Sequence, residues 1–90
     1  MKVIELQEEA IPFIASTISL KKNLLQDKLK YYDHELKVFE KRYKMLSPTF
    51  YQKFNDGTLG DDKIWFKWTY LYETSTILQN ELDIIANIRL

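Results

Sequence analysis

Few side chains in this 90-residue sequence have types and spacings that could do acid–base chemistry. Paired carboxylates occur at Glu8-Glu9 and at Asp61-Asp62, and the one histidine is His34. Acid–base catalysis needs two carboxyl groups across a cleft with separated pKa values, whereas each of these pairs is adjacent in sequence. Because Asp61-Asp62 falls where a helix is expected to begin, N-terminal capping accounts for it.

Metal, nucleophile and phosphate sites are not predicted either. The chain has no cysteine and a single histidine, which excludes thiolate ligand sets and makes a conventional zinc site implausible. His34 has no serine, cysteine or aspartate constellation to serve as a general base. Gly57 and Gly60 lack the lysine and the preceding strand of a phosphate-binding loop. We therefore expect no enzyme activity and no cofactor.

The charge pattern argues against nucleic acid and membranes as partners. Positive and negative side chains balance at 13 each, so no net charge steers the chain toward either. Residues 21–44 hold eight Lys/Arg against four acids, but Asp33 and Glu40 interrupt the basic positions, which favours a solvated face. The longest uncharged stretch, residues 10–20, is too short to span a bilayer, and Lys2 followed by Glu5 is not a secretory signal. We expect a cytoplasmic protein.

The elements that must position these side chains are predicted to be helices. From Leu25 to Leu46 apolar residues recur at alternating intervals of 4 and 3, and the same intervals run from Ile64 to Ile85 with Ser75 as the one polar member. This is the heptad pattern of a helix that packs on another helix. Residues 55–62 contain both glycines and are the strongest turn signal. The sequence thus predicts an all-α fold, a long helical hairpin with helices at about 12–46, 48–55 and 61–89.

Within that hairpin, Ser47 is predicted to cap the short helix with Pro48 at its first position. Residues 1–90 are expected to form a single helical domain, and residues 1–11 are a candidate arm. They read as a short strand, an arm or an early helical turn.

Aromatic and aliphatic side chains of the last helix spread over more than one face. One neighbouring helix covers a stripe only about 100° wide, and the aromatic fraction of the chain is 14%. We expect a second chain to cover the surplus, so that two hairpins form a homodimeric four-helix bundle. The alternative is that the three helices of one chain bury these aromatics as ordinary core. The candidate contact residues are Leu25, Leu29, Tyr32, Leu36, Phe39, Tyr43, Trp65, Phe66, Trp68, Tyr72, Leu78, Leu82 and Ile85.

The C-terminal half carries a run of short motifs. They are FEKRYKM at residues 39–45, SPTFYQKF at 47–54, NDGTLGDD at 55–62 and WFKW at 65–68. This run resembles small helical antitoxin components of prokaryotic toxin–antitoxin pairs. The resemblance implies a protein that neutralises a toxin, often a ribonuclease, by covering its surface.

Three functions follow from these features. The first is an antitoxin-like interaction module with a cognate toxin as partner. The second is a self-associating helical scaffold or adaptor without a toxin. The third is a nucleic-acid-binding accessory role, which would require dimerisation to align basic faces.

Overall fold

The computed structural model describes residues 8–89, which form three helices. They are α1 (Ala10–Tyr43), α2 (Ser47–Asn55) and α3 (Lys63–Ala86). α1 and α3 make the most extensive contact and form the hairpin. α2 packs on both near the end of the hairpin where the chain passes from α1 to α3, which we call the closed end. The predicted all-helical hairpin is confirmed, and no strand occurs between residues 8 and 89. The predicted arm, residues 1–11, lies mostly outside the described part of the chain, but residues 10 and 11 are helical.

The boundaries of α1 differ from the predicted 12–46 at both ends. The helix begins at Ala10, two residues before Pro12. Pro12 is tolerated because it lies in the first turn, where backbone N–H groups make no intrahelical hydrogen bond. It ends at Tyr43 because Lys44 adopts a left-handed conformation with φ 53° and donates its backbone N–H to Glu40 O. A non-glycine residue rarely does this, so the sequence carried no stop signal there. Leu46, predicted as the last position of the stripe, is exposed as a result.

The last helix is shorter than the predicted 61–89. It begins at Lys63, after Asp62 accepts a hydrogen bond from the Ile64 backbone N–H at 3.1 Å. This is the expected N-terminal capping by an aspartate. At the other end, Asn87 follows the helix and its side-chain amide donates to Asp83 O at 2.9 Å.

The core lies at the closed end of the hairpin, where all three helices meet. Its fully buried members are Trp68 and Phe50, with Leu36, Phe39 and Leu71 beside them. The two heptad stripes predicted from the sequence face each other here. No helix in the described part is both long and apolar enough to cross a lipid bilayer.

Candidate protein-binding face

Trp68 is the centre of an aromatic stack that joins the three helices. Its ring lies 3.8 Å from that of Phe50 with an interplanar angle of 5°. The rings of Phe39 and Tyr43 stack on it from α1 at 5.4 and 5.7 Å. Such offset contacts add to the area that the rings bury. The stack therefore holds α2 against the hairpin.

Ser47 makes a polar link in the same place. The buried Trp68 indole Nε1–H donates to Ser47 Oγ at 3.0 Å, and the Ser47 backbone N–H donates to Glu40 Oε2 at 2.8 Å. The prediction that Ser47 caps α2 is wrong: the cap position is Leu46, and Ser47 is the first helical residue. The hydroxyl that could have capped the helix accepts the indole hydrogen bond instead.

The structure places most of the predicted contact residues between the helices of one chain. Leu25, Leu36, Phe39, Trp68 and Leu78 are buried. Half-buried positions on the same inner stripes are Leu29, Tyr32, Tyr43, Leu82 and Ile85. Trp65 and Tyr72 are half-buried beside the α3 stripe, where their rings contact Phe50 and Tyr51 of α2. For the aromatic residues among them, the alternative of an ordinary intramolecular core accounts for their burial. Contact of any of these residues with a second chain stays a prediction.

Phe66 is the exception among the predicted contact residues, because its side chain is exposed. It belongs to a line of half-exposed apolar side chains along α3, which we call the α3 ridge. Its members are Phe66, Tyr70, Ile77 and Ile84. At 100° per residue they fall within an arc of about 40°, far from the side that faces α1.

α1 carries a matching line, which we call the α1 ridge. Its members are Leu20, Leu24, Tyr31 and Val38. They also share an arc of about 40°, and Phe13 continues the line seven residues earlier. Together the eight ridge side chains keep between 50% and 61% of their surface exposed. That is a high value for residues arranged in two continuous lines, because scattered exposure is the common case.

Both ridges flank the same groove of the hairpin. The groove is lined by Asp27, Lys28, Tyr31, Tyr32, Thr74 and Leu78. Across it, the rings of Tyr32 and Tyr70 lie 6.3 Å apart and their hydroxyl oxygens 3.4 Å apart. The other ridge members repeat at helical spacing from Tyr31 and Tyr70, and we call the surface that both ridges border the ridge face. Two members of the α3 ridge also border α2: the Phe66 ring meets that of Phe54 at 5.5 Å, and Ile77 lines a depression with Tyr51.

The opposite groove of the hairpin is different in character. It is lined mainly by polar and charged side chains, among them Lys22, Lys30, Asp33, Gln79 and Asp83. α2 covers the closed end, where the Tyr51 hydroxyl donates to Glu73 Oε1 at 3.1 Å. Most of the exposed large apolar side chains therefore lie along the two ridges and not in this groove.

One titratable group on the ridge face is perturbed. The hydrogen bond with Tyr70 raises the pKa of the Tyr32 hydroxyl above its ordinary value of 10.0, with smaller contributions from desolvation and from the nearby phenolic groups. The Tyr32 hydroxyl is therefore neutral at physiological pH. Its role here is to join α1 to α3 across the groove.

The part of the chain from residue 8 to 89 holds no cluster of three potential metal-ligating side chains. His34 lies in a shallow depression with Lys37, Val38, Glu40 and Lys41.

Sequence reasoning singled out Phe66 but missed the α1 ridge. The seven-residue repeat from Leu24 to Tyr31 and Val38 was visible in the sequence and could have revealed it.

Comparison with protein-family models, with curated protein sequences and with solved structures finds no match to this chain. The resemblance to antitoxins accordingly stays a prediction.

Proposed function

We propose that this chain is a protein–protein interaction module, and that it acts as an antitoxin-like component that binds and neutralises a partner toxin. The observation that carries the interaction function is the ridge face, with eight half-exposed apolar side chains in two lines along α1 and α3. Contiguous apolar surfaces of this kind mark binding sites in soluble proteins. The motifs at residues 39–68 support the antitoxin assignment by resemblance.

The test is co-expression with the product of the adjacent gene. We expect that product to slow growth when expressed alone, and this chain to relieve the arrest and to co-purify with it. If this chain neither relieves the growth arrest nor co-purifies with the product, the antitoxin proposal is wrong.

A matched pair of leucine variants serves as control. Leu36→Asp, which places a charge in the hairpin core, should abolish rescue and capture. Leu46→Asp introduces the same charge at an exposed position and should preserve both.

The second candidate function is a self-associating scaffold without a toxin. The observation in its favour is that the two ridges are spaced alike, at intervals of 4, 7 and 7 residues on each helix. In that case the chain self-associates whether or not a neighbouring protein is present.

A further inference from the structure

We propose that the ridge face docks a second copy of this chain, with α1 of each copy packed on α3 of the other. The result is a four-helix bundle with the two closed ends together. The inference rests on the proposed interaction function and names a second copy as the occupant of the ridge face, so that a toxin would bind the dimer outside this face.

The register of the hairpin supports a second copy. Tyr43 meets Trp65 with their rings 5.0 Å apart, and the two helices run antiparallel from there. Both helices advance by the same rise per residue, so residues equally far from the Tyr43–Trp65 contact lie at the same height along the hairpin axis. We call such residues level: Val38 is level with Tyr70, Tyr31 with Ile77, and Leu24 with Ile84. Every one of these level positions is apolar on both helices.

A two-fold axis parallel to the helices uses this match directly. It places α1 opposite α3 of the partner copy in the register that exists within each chain. Tyr31 then meets Ile77 of the partner copy, Val38 meets its Tyr70 and Leu24 meets its Ile84. Each contact occurs twice, as an interface between identical surfaces requires. In two of the three pairs an aromatic side chain faces an aliphatic one, which favours interdigitation.

Charges on the groove between the ridges are also complementary under this operation. Lys28 and Thr74 line the groove, and Glu35 and Glu81 follow them by seven residues on the same faces. The two-fold axis brings Lys28 beside Glu81 of the partner copy and Glu35 beside its Thr74. Lys28 and Glu35 thus gain an ion-pair and a hydrogen-bond partner when the apolar ridges close over the groove, while Asp27, which also lines it, gains none.

The exposed area is sufficient for a dimer. Aromatic side chains present about 150–250 Å² each and the five aliphatic ridge side chains somewhat less, so the eight half-exposed side chains offer on the order of 700 Å² per copy, close to the roughly 800 Å² of a standard interface. The flanking groove residues add to this. A second copy therefore fits the ridge face in area as well as in pattern.

A two-fold axis perpendicular to the helices is the competing arrangement. It pairs α1 with α1 and α3 with α3. In the register that places Tyr31 opposite Tyr31 of the partner copy, Leu20 faces Arg42 of the partner copy. The parallel axis instead keeps the register that exists between α1 and α3 within one chain, and it leaves the Arg42 guanidinium over its own Tyr43 ring, 5.7 Å from the centroid. We therefore assign the parallel axis.

The first experiment measures mass in solution by sedimentation equilibrium. The wild-type chain should have twice the 10.8 kDa mass of one copy. Ile77→Asp should raise the dimer Kd at least about 100-fold, because each dimer buries two such charges. Its helical circular dichroism should remain, because Ile77 lies outside the hairpin core. Thr76→Asp introduces the same carboxylate one residue away from the ridge, and this variant should stay dimeric.

Leu24→Asp provides a second test on α1, with Leu46→Asp as its matched control. Only Leu24→Asp should dissociate the dimer. A wild-type chain that is monomeric at high micromolar concentration would overturn the inference, and so would a dimer that survives both ridge substitutions. A monomer that still captures the adjacent gene product overturns the self-docking alone. A dimer that captures nothing overturns the antitoxin proposal alone.

The second experiment determines the orientation by cross-linking. The chain has no cysteine, so Tyr31→Cys and Ile77→Cys each introduce a unique thiol. Mixed and oxidised together, the two variants should form a disulfide-linked heterodimer, because these positions face each other across the parallel axis. Either variant oxidised alone should remain uncross-linked. Efficient self-linking of the Ile77→Cys variant would show the perpendicular axis and overturn the assigned orientation.

Discussion

Ser47 connects the three helices at the scale of single residues. It accepts the hydrogen bond of the buried Trp68 indole and donates its own backbone N–H to the Glu40 carboxylate. A buried polar group without a partner costs more than the hydrogen bond itself contributes. The position of α2 therefore depends on one hydroxyl group as well as on the aromatic stack.

Ser47→Ala should lower the free energy of unfolding by about 1–3 kcal/mol, since the Trp68 indole N–H would stay buried without an acceptor. Urea denaturation measures the difference. Ser16→Ala is the matched control: its hydroxyl bonds only to Phe13 O on the exposed side of α1, so it should change stability by less than about 0.5 kcal/mol. Equal effects of the two changes would contradict the role given to Ser47.

Tyr32 gives a pH dependence with a defined sign. Its pKa is raised in the folded chain, so the folded state favours the protonated hydroxyl. The stabilisation is complete below the ordinary value of 10.0 and is lost as the pH rises through the higher folded pKa. Unfolding free energies at pH 8 and above pH 10 should show this loss. In Tyr32→Phe the loss should be smaller, and an unchanged loss would exclude Tyr32 as its source.

At the scale of elements, α2 is too short to be stable alone, and packing must hold it. Isolated helices of its nine residues are marginal in water. Phe50 is fully buried against Trp68 and supplies that packing. The loop that follows is tied down by the Trp65 indole Nε1–H, which donates to Leu59 O at 3.1 Å. The two tryptophans thus fix both α2 and its connection to α3.

Trp68→Ala should destabilise the chain by about 3–5 kcal/mol through loss of buried area and creation of a cavity. Thermal and urea denaturation followed by circular dichroism would measure it. Phe13→Ala, which truncates an aromatic side chain that is 74% exposed, is the comparison and should change stability little. A small effect at Trp68 would place it outside the core.

At the scale of the whole molecule, the described residues 8–89 form an elongated body, with a Cα radius of gyration of 18.3 Å and extents of 55 × 30 × 18 Å. A compact chain of this length has a radius of gyration of only about 12 Å. The elongation follows from α1, whose 34 residues form a rod about 50 Å long that α3 does not fully accompany. Such a shape exposes the flanks of the hairpin wherever α2 does not cover them.

Small-angle scattering gives a prediction at this scale. The N-terminal part of α1 extends beyond the end of α3 and forms an overhang. In the parallel-axis dimer the overhangs of both copies lie at the same end. The longest dimension should therefore be nearly the same for the wild-type dimer and for monomeric Ile77→Asp, while the mass doubles. Lengthening by about one overhang, roughly 15–20 Å at 1.5 Å per residue, would instead indicate the perpendicular axis.

The sequence by itself determined the helices, the turn at residues 55–62 and the two inner heptad stripes, because periodicity and glycine placement are local properties. Only the tertiary structure decided where α1 stops, since the left-handed Lys44 has no local signal. It also decided that Ser47 serves Trp68 and that the large aromatics lie inside one chain. The alignment of the ridges across the hairpin was likewise beyond the sequence, because it depends on the register between α1 and α3, and that register is set by the packing of residues far apart in the chain.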